Sequence, residues 1–290
     1  MFWRGSKIRK VLLQMNKHSH KIHTLRRKNR RPVLSYQAKR KLRWVPNTLT
    51  LCNSWCGFAS ILWTLSIYER ATNTYDVLAV SALIILGAMI FDVLDGFAAR
   101  MLDATSMHGL QMDSLSDMVT FGVAPAVLMA AMTHWLQGVQ TTGQVWVTYL
   151  LCSVYVGCAA LRLATYNVKA LEKTGEANTF HGLPSPGAAA AIASLVLAMR
   201  VYDRDLSNLA LVLPVYAAFL GVMMVSPLPY RHLGKWLLSR QGSQPVKIIV
   251  LILLLFLVAI FREYAIFAVI TLYVLSGPVE GIRRLVAGKR

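Results

Sequence analysis

The sequence predicts an all-α polytopic membrane protein, and three observations carry that prediction. Hydrophobic residues fill 56% of the 290 positions and charged residues only 15%, with a mean hydropathy of +0.48, a membrane composition. The apolar residues fall into runs long enough to cross a hydrocarbon core of about 30 Å as helices. The excess positive charge, +18 in all, is concentrated at one end: fifteen Lys and Arg lie from Arg4 to Arg43 with no acid among them. The organisation expected is a basic cytoplasmic tail at 1–45, a six-span core at 46–230, and a segment 231–290 holding a cytoplasmic loop and two further transmembrane spans.

In a soluble chain so much charge would suggest nucleic acid. Confined to a tail ahead of a membrane span, it reads instead as a topology signal that keeps the N-terminus cytoplasmic. That role is compatible with binding anionic lipid headgroups, at about 1 kcal/mol per basic residue near the surface. No nucleic-acid partner is expected. Nor is the tail a cleavable signal peptide, because no apolar core of the right length follows the first charges.

The first span is expected at 46–67, opened by Pro46 at a position suited to a helix start. It carries Asn47, Thr48, Thr50 and Asn53, polar groups that either bond neighbouring helices or line a pocket. The second span, 77–101, and the third, 106–136, flank a polar turn, and Pro125 should kink the third. A fourth span at 145–168 ends in LRLATYNV. After it comes the loop 169–182, of mixed charge, either a cover over a site or a solvated connector. The fifth span, 182–200, sets Gly187, Ala191, Ser194 and Ala198 on one side, where small residues permit close helix packing. The sixth runs over 206–225. Two almost purely aliphatic spans, 248–261 and 264–275, are expected to meet at a short turn, Arg262-Glu263. Cys52, Cys56, Cys152 and Cys158 all fall in apolar spans at no zinc spacing and read as packing residues.

Eight spans with a cytoplasmic N-terminus place only Arg70, Arg204 and Arg262 in outward loops, each beside an acid, in agreement with the positive-inside rule. The same count puts the 91–118 stretch, FDVLDGFAARMLDATSMHGLQMDSLSDM, at the cytoplasmic end. Asp92 and Asp95 are three apart, and Asp113 and Asp117 four apart, so each pair lies on one face of its helix. A turn near Gly109 lets the two helices run antiparallel and brings four carboxylates into one pocket. Each ionised acid at membrane depth costs roughly 2.5–3.5 kcal/mol on insertion scales. A divalent cation, or two, cancels that charge, and oxygen-only ligation favours Mg²⁺ or Mn²⁺ over zinc. Asp103, outside this pattern, reads as an interfacial charge.

The spacing Asp-x2-Asp-Gly-x2-Ala-Arg-x8-Gly-x3-Asp-x3-Asp, from Asp92 to Asp117, resembles the signature of the CDP-alcohol phosphatidyltransferase family at all eight fixed positions. PNTLTLCNSWCG, DSLSDMVTFGVAPA, LRLATYNV, FHGLPSPGAAAAIAS and VSPLPY are similar to the membrane-integral phosphatidylserine synthases within it. The resemblance implies a six-helix transferase core in which Asp92, Asp95, Asp113 and Asp117 hold two metal ions and Asp117 is also the general base. It implies a CDP-diacylglycerol site drawn from Gly96, Ala99, Arg100, Gly109, Thr50 and Asn53. Gly96 and Gly109 would let the diphosphate approach the backbone, and Arg100 would contact phosphate. The activity implied is metal-dependent transfer of a phosphatidyl group from CDP-diacylglycerol to the hydroxyl of L-serine, giving phosphatidylserine and CMP.

Serine carries a carboxylate, and the cations expected on the same side are Arg162, Lys169, His181 and Arg231, with Arg162 favoured. Glycerol 3-phosphate, inositol 1-phosphate and choline are the other acceptors the family uses. No Ser, Cys or His stands in a nucleophile arrangement, so direct transfer is expected. A cation transporter would need acids spread over several spans, whereas these are confined to one hairpin. An inactive lipid-binding scaffold is a further alternative. A homodimer is implied by relatives, and the location expected is a multi-pass membrane protein with a cytoplasmic site, in the inner membrane if the chain is bacterial.

Overall fold

The structure is a computed structural model describing residues 44–68, 74–102, 106–138, 141–172, 182–201, 209–230 and 244–287, with backbone alone for 170–172, 201, 244–263 and 285. The basic tail, Asp103, His181 and Arg231 lie outside the described residues. Those residues fold into helices: α1 (Trp44–Leu65), α2 (Thr74–Met101), α3 (Met107–Asp117), α4 (Ala124–Gln137), α5 (Thr142–Glu172), α6 (Ser185–Val201), α7 (Val212–Val225) and α8 (Gln244–Val286). A π-helical segment, Met118–Val123, joins α3 to α4 into one path.

α1 is built inside out. Pro46, Thr50, Asn53, Gly57, Ser60 and Thr64 recur every three or four residues and are buried, while Leu51, Trp55, Phe58, Leu62 and Leu65 on the remaining surface are exposed. In lipid there is no hydrophobic gain from turning apolar residues inward, so small and polar side chains make the interhelical contact. Ser60 Oγ, for example, donates to Ser81 O of α2 at 3.1 Å. Of the polar groups expected to serve neighbouring helices or a pocket, Thr50 and Asn53 bond side chains of other helices, whereas Thr48 is exposed and donates to its own helix, at Trp44 O.

α2, the α3–α4 path, α5 up to Lys169, and Tyr264–Arg284 of α8 are each long and apolar enough to cross a membrane, and α6 and α7 are shorter apolar helices. The protein is therefore an all-α polytopic membrane protein. Its core gathers Leu78, Ile85, Phe121, Met129, Tyr155, Ile192 and Leu220. Ala191, Ser194 and Ala198 of the small-residue side of α6 are buried.

One expectation changes. The turn at Arg262-Glu263 is absent: α8 runs unbroken for 43 residues, about 65 Å at 1.5 Å per residue. Arg and Glu are good helix formers with no Gly or Pro between them, and nothing there stops the helix. Pro125, expected to kink the third span, falls at an irregularity of that path. It stands in the first turn of α4, behind the π segment. Lacking an N–H, it cannot donate to the carbonyl four residues back, that of Phe121; the Tyr155 hydroxyl donates to that oxygen instead, at 2.8 Å. The same device recurs in α8. Pro278 lies inside the helix, and the Tyr230 hydroxyl donates to Val274 O, four residues before it, at 2.9 Å.

Candidate functional site

The C-terminal end of α2 and the N-terminal part of the α3–α4 path meet as the acidic hairpin that the spacing predicts. Ser106 caps α3, its side chain accepting from Gly109 N at 3.0 Å, so the helix starts where its first acid falls on the inward face. One carboxylate oxygen each from Asp92, Asp95 and Asp113 lies within 4.8 Å of the others. Asp117 follows one helical turn beyond Asp113 on α3 and is buried. Of the four acids that the spacing brings together, Asp92, Asp95 and Asp113 each offer an oxygen to this one group.

α1 holds these acids in place. Thr50 Oγ1 donates to Asp95 Oδ2 at 2.9 Å, and Asn53 Nδ2 donates to Asp117 Oδ1 at 3.2 Å. The hairpin returns the contacts: Ser116 Oγ donates to Thr50 O at 2.8 Å, and Thr120 Oγ1 to Asn53 O at 2.9 Å. These four bonds stitch one side of α1 to both acidic helices. The helices can close only because residue 57 is glycine; a Cβ there would stand 2.7 Å from the Thr120 Cα. On the other side, Ser114 Oγ lies 3.0 Å from Asn167 Oδ1, which ties the hairpin to α5.

The remaining predicted residues are arranged unequally. A Cβ on Gly96 would meet nothing within 4 Å, so the backbone beside Asp95 is open to a ligand. Above Gly109 the space is taken by Ser106 Oγ and Asn47 Oδ1, at 3.2 and 3.9 Å from an added Cβ. Ala99 is half-buried, and Arg100 is exposed with its Nε donating to Gly96 O at 2.9 Å. Of the acceptor candidates, Arg162 is half-buried and its Nη1 donates to Met224 O at 3.0 Å, while Lys169 is exposed. Sequence reasoning missed Ser114, Ser116 and Thr120 as parts of the site, whereas it placed Asn167 near the face of the acidic motif, where Ser114 meets it. The one signal that could have found any of this network is the recurrence of polar and small residues every three or four positions from Pro46 to Thr64.

The donor set suits a hard divalent cation. It is all carboxylate oxygen, and Asp113 Oδ1 is buried without a hydrogen-bond partner, an acceptor whose desolvation needs a compensating positive charge. The open backbone at Gly96 follows directly on Asp95, where a phosphate could reach.

Comparison with known proteins points the same way. Residues 43–225 match the family described as CDP-alcohol phosphatidyltransferase. The chain is 36% identical over 157 residues to a CDP-diacylglycerol–serine O-phosphatidyltransferase of Saccharomyces cerevisiae, covering 52% of this chain and 53% of that protein. It is 33% identical over 188 residues to an archaetidylserine synthase of Methanothermobacter thermautotrophicus, covering 64% and 69%. A CDP-diacylglycerol–serine O-phosphatidyltransferase of Helicobacter pylori is 30% identical over 190 residues, covering 66% and 73%. The chain thus spans about half the length of the yeast relative and up to roughly three quarters of the others. Because the family match takes in well over half of the sequence and holds the entire acidic hairpin, the chain belongs to the CDP-alcohol phosphatidyltransferase family.

Proposed function

We propose that the chain transfers a phosphatidyl group from CDP-diacylglycerol to the hydroxyl of L-serine, forming phosphatidylserine and releasing CMP. The observation that carries this reading is the group of carboxylates at one end of the bundle, with the buried, unpartnered Asp113 Oδ1 among them. Relatives named for serine transfer support the choice of acceptor.

In the reaction the serine oxygen forms a bond to the β-phosphorus, and the bond from that phosphorus to the oxygen bridging it to the CMP phosphate breaks. The hydroxyl proton passes to Asp117. The family is metal-dependent, and Asp92, Asp95, Asp113 and Asp117 would hold two Mg²⁺ or Mn²⁺ ions. Such ions, when bound, offset the charge of the diphosphate and of the departing phosphate. Asn53 keeps the Asp117 carboxyl from rotating away from the acceptor, and Thr50 does the same for Asp95. Gly96 leaves the backbone clear for the diphosphate, and Arg100, at the exposed end of α2, swings from its own helix to the phosphate. Arg162 meets the carboxylate of serine. Transfer is direct, so configuration at phosphorus inverts. The acids face the cytoplasm, where CMP leaves, and the protein works as a homodimer in the membrane, with anionic lipid at its basic tail.

The test is CMP release by the purified full-length protein supplied with CDP-diacylglycerol and Mg²⁺ or Mn²⁺. Serine should support release, and glycerol 3-phosphate, inositol 1-phosphate and choline should not. Asp113→Asn and Asp117→Asn should each abolish it. Release with another acceptor and none with serine overturns the assignment of serine, and a trapped phosphatidyl-enzyme overturns direct transfer.

A further inference from the structure

We propose that Asn167 of α5 is an acceptor-binding residue, its amide nitrogen donating to the carboxylate of the incoming serine. The inference rests on the reading of serine as the acceptor and of Asp117 as the group that takes its proton.

The position follows from the way the acidic face of α3 is walled. At about 100° per residue, Asp113 and Asp117 share one face, and Ser116 and Ser114 stand to either side of it. Ser116 turns toward α1 and bonds Thr50 O. Ser114 turns the other way, to α5, where its Oγ lies 3.0 Å from Asn167 Oδ1. Ser114 and Asp117 are three residues apart on one helix, which sets their Cβ atoms about 5–6 Å from each other. Asn167 therefore reaches the edge of the pocket beside Asp117, on the side away from α1, whose Asn53 Nδ2 bonds Asp117 Oδ1.

The other walls are already committed. On α2 the open backbone at Gly96 is where the diphosphate approaches. On α1, Thr50 Oγ1 and Asn53 Nδ2 are turned to carboxylates, and Asn53 Oδ1 is a buried acceptor. That helix offers nothing to an anion. α5 is the wall left for the acceptor, and Asn167 is the side chain through which α5 bonds the hairpin.

The amide is set to donate. Its Oδ1 faces the Ser114 hydroxyl, which also lies 3.1 Å from Leu110 O, and this leaves Nδ2 with its hydrogens to give. That nitrogen has no hydrogen-bond partner among the described residues, and Asn167 is half-buried, so a ligand can reach it. With its acceptor end fixed by Ser114, the group is a pre-oriented donor. A neutral donor suits this place for a physical reason. Lys or Arg beside Asp113 and Asp117 would pair with the acids and compete with a divalent ion, whereas an amide donates without adding charge. A donor spent on a carboxylate also favours serine over choline, which has none.

The experiment measures KM for serine and for CDP-diacylglycerol separately, by CMP release from the full-length protein at saturating Mg²⁺ or Mn²⁺. Asn167→Ala should raise the serine KM about tenfold, the loss of one donor to a charged group, with kcat and the CDP-diacylglycerol KM changed by no more than about twofold. Asn167→Asp keeps an oxygen for the Ser114 hydroxyl but sets a negative charge against the carboxylate. It should raise the serine KM at least about tenfold beyond alanine. A residue that only ties α5 to the hairpin would show the reverse order, with aspartate the milder change. Val168→Ala, at an exposed neighbour, should move none of the three constants. A serine KM unchanged in either Asn167 variant, aspartate milder than alanine, or equal losses in all three constants overturns the inference. Wild-type protein that releases no CMP with serine overturns the acceptor assignment and this inference with it, so the two failures read differently.

Discussion

At the scale of single residues, two side chains of α1 decide how the acids are used. Thr50 and Asn53 each spend a donor on one carboxylate oxygen, and they do so from a helix that contributes no acid of its own. Partners of this kind orient metal ligands, and their removal typically weakens metal binding by about ten- to a hundredfold. Thr50→Val should accordingly raise the Mg²⁺ or Mn²⁺ concentration needed for half-maximal CMP release by about tenfold, with little change in the rate at saturating metal. Asn53→Ala acts on the proposed base, so its effect should persist at saturating metal as a fall in kcat of at least about tenfold. Metal titrations of the two variants distinguish these roles; identical behaviour would show that both residues merely hold the fold.

At the scale of elements, the π segment and the glycine opposite it set the distance between α1 and the acidic path. π-helical turns are rare and often lie at functional sites, and this one begins directly after Asp117. Its contact with α1 leaves no space for a Cβ at residue 57. Gly57→Ala should therefore destabilise the protein by about 1–3 kcal/mol, the usual cost of overpacking, and reduce CMP release because Asn53 is drawn from Asp117. Tyr155→Phe removes the hydroxyl that serves the carbonyl Pro125 cannot reach. It should cost about 1–3 kcal/mol, the penalty of an under-satisfied buried acceptor, visible as a lower Tm in detergent. Two prolines and two tyrosines repeat this arrangement at Phe121 and Val274, which is how the bundle carries helix-breaking residues without exposing backbone to lipid.

At the scale of the molecule, the acids, the capped start of α3, Asn167 and the Arg162 region all gather at one end of the bundle, while the Arg200–Asp76 ion pair, 2.7 Å, and the Tyr75–Trp135 ring contact mark the other. The function proposed above puts the acidic end in the cytoplasm, and labelling tests that orientation. In a background with its four cysteines replaced by serine, Met107→Cys should resist an impermeant maleimide applied outside intact cells, and Thr141→Cys should react. The reverse labelling would invert the topology. By itself the sequence determined the all-helical membrane class and the family, and it pointed to the hairpin on which Asp92, Asp95 and Asp113 come together, because each depends on periodicity or fixed spacing within one stretch of chain. It also marked Thr50 and Asn53 as inward polar groups, though not which carboxylate each would hold. Only the tertiary structure decided that pairing, the service of Phe121 by Tyr155, and the continuity of α8 past Arg262-Glu263. The reason is geometric: spacing fixes which face of a helix a residue occupies, whereas its partner across the bundle depends on relative depth and on how closely a glycine such as Gly57 lets two backbones approach.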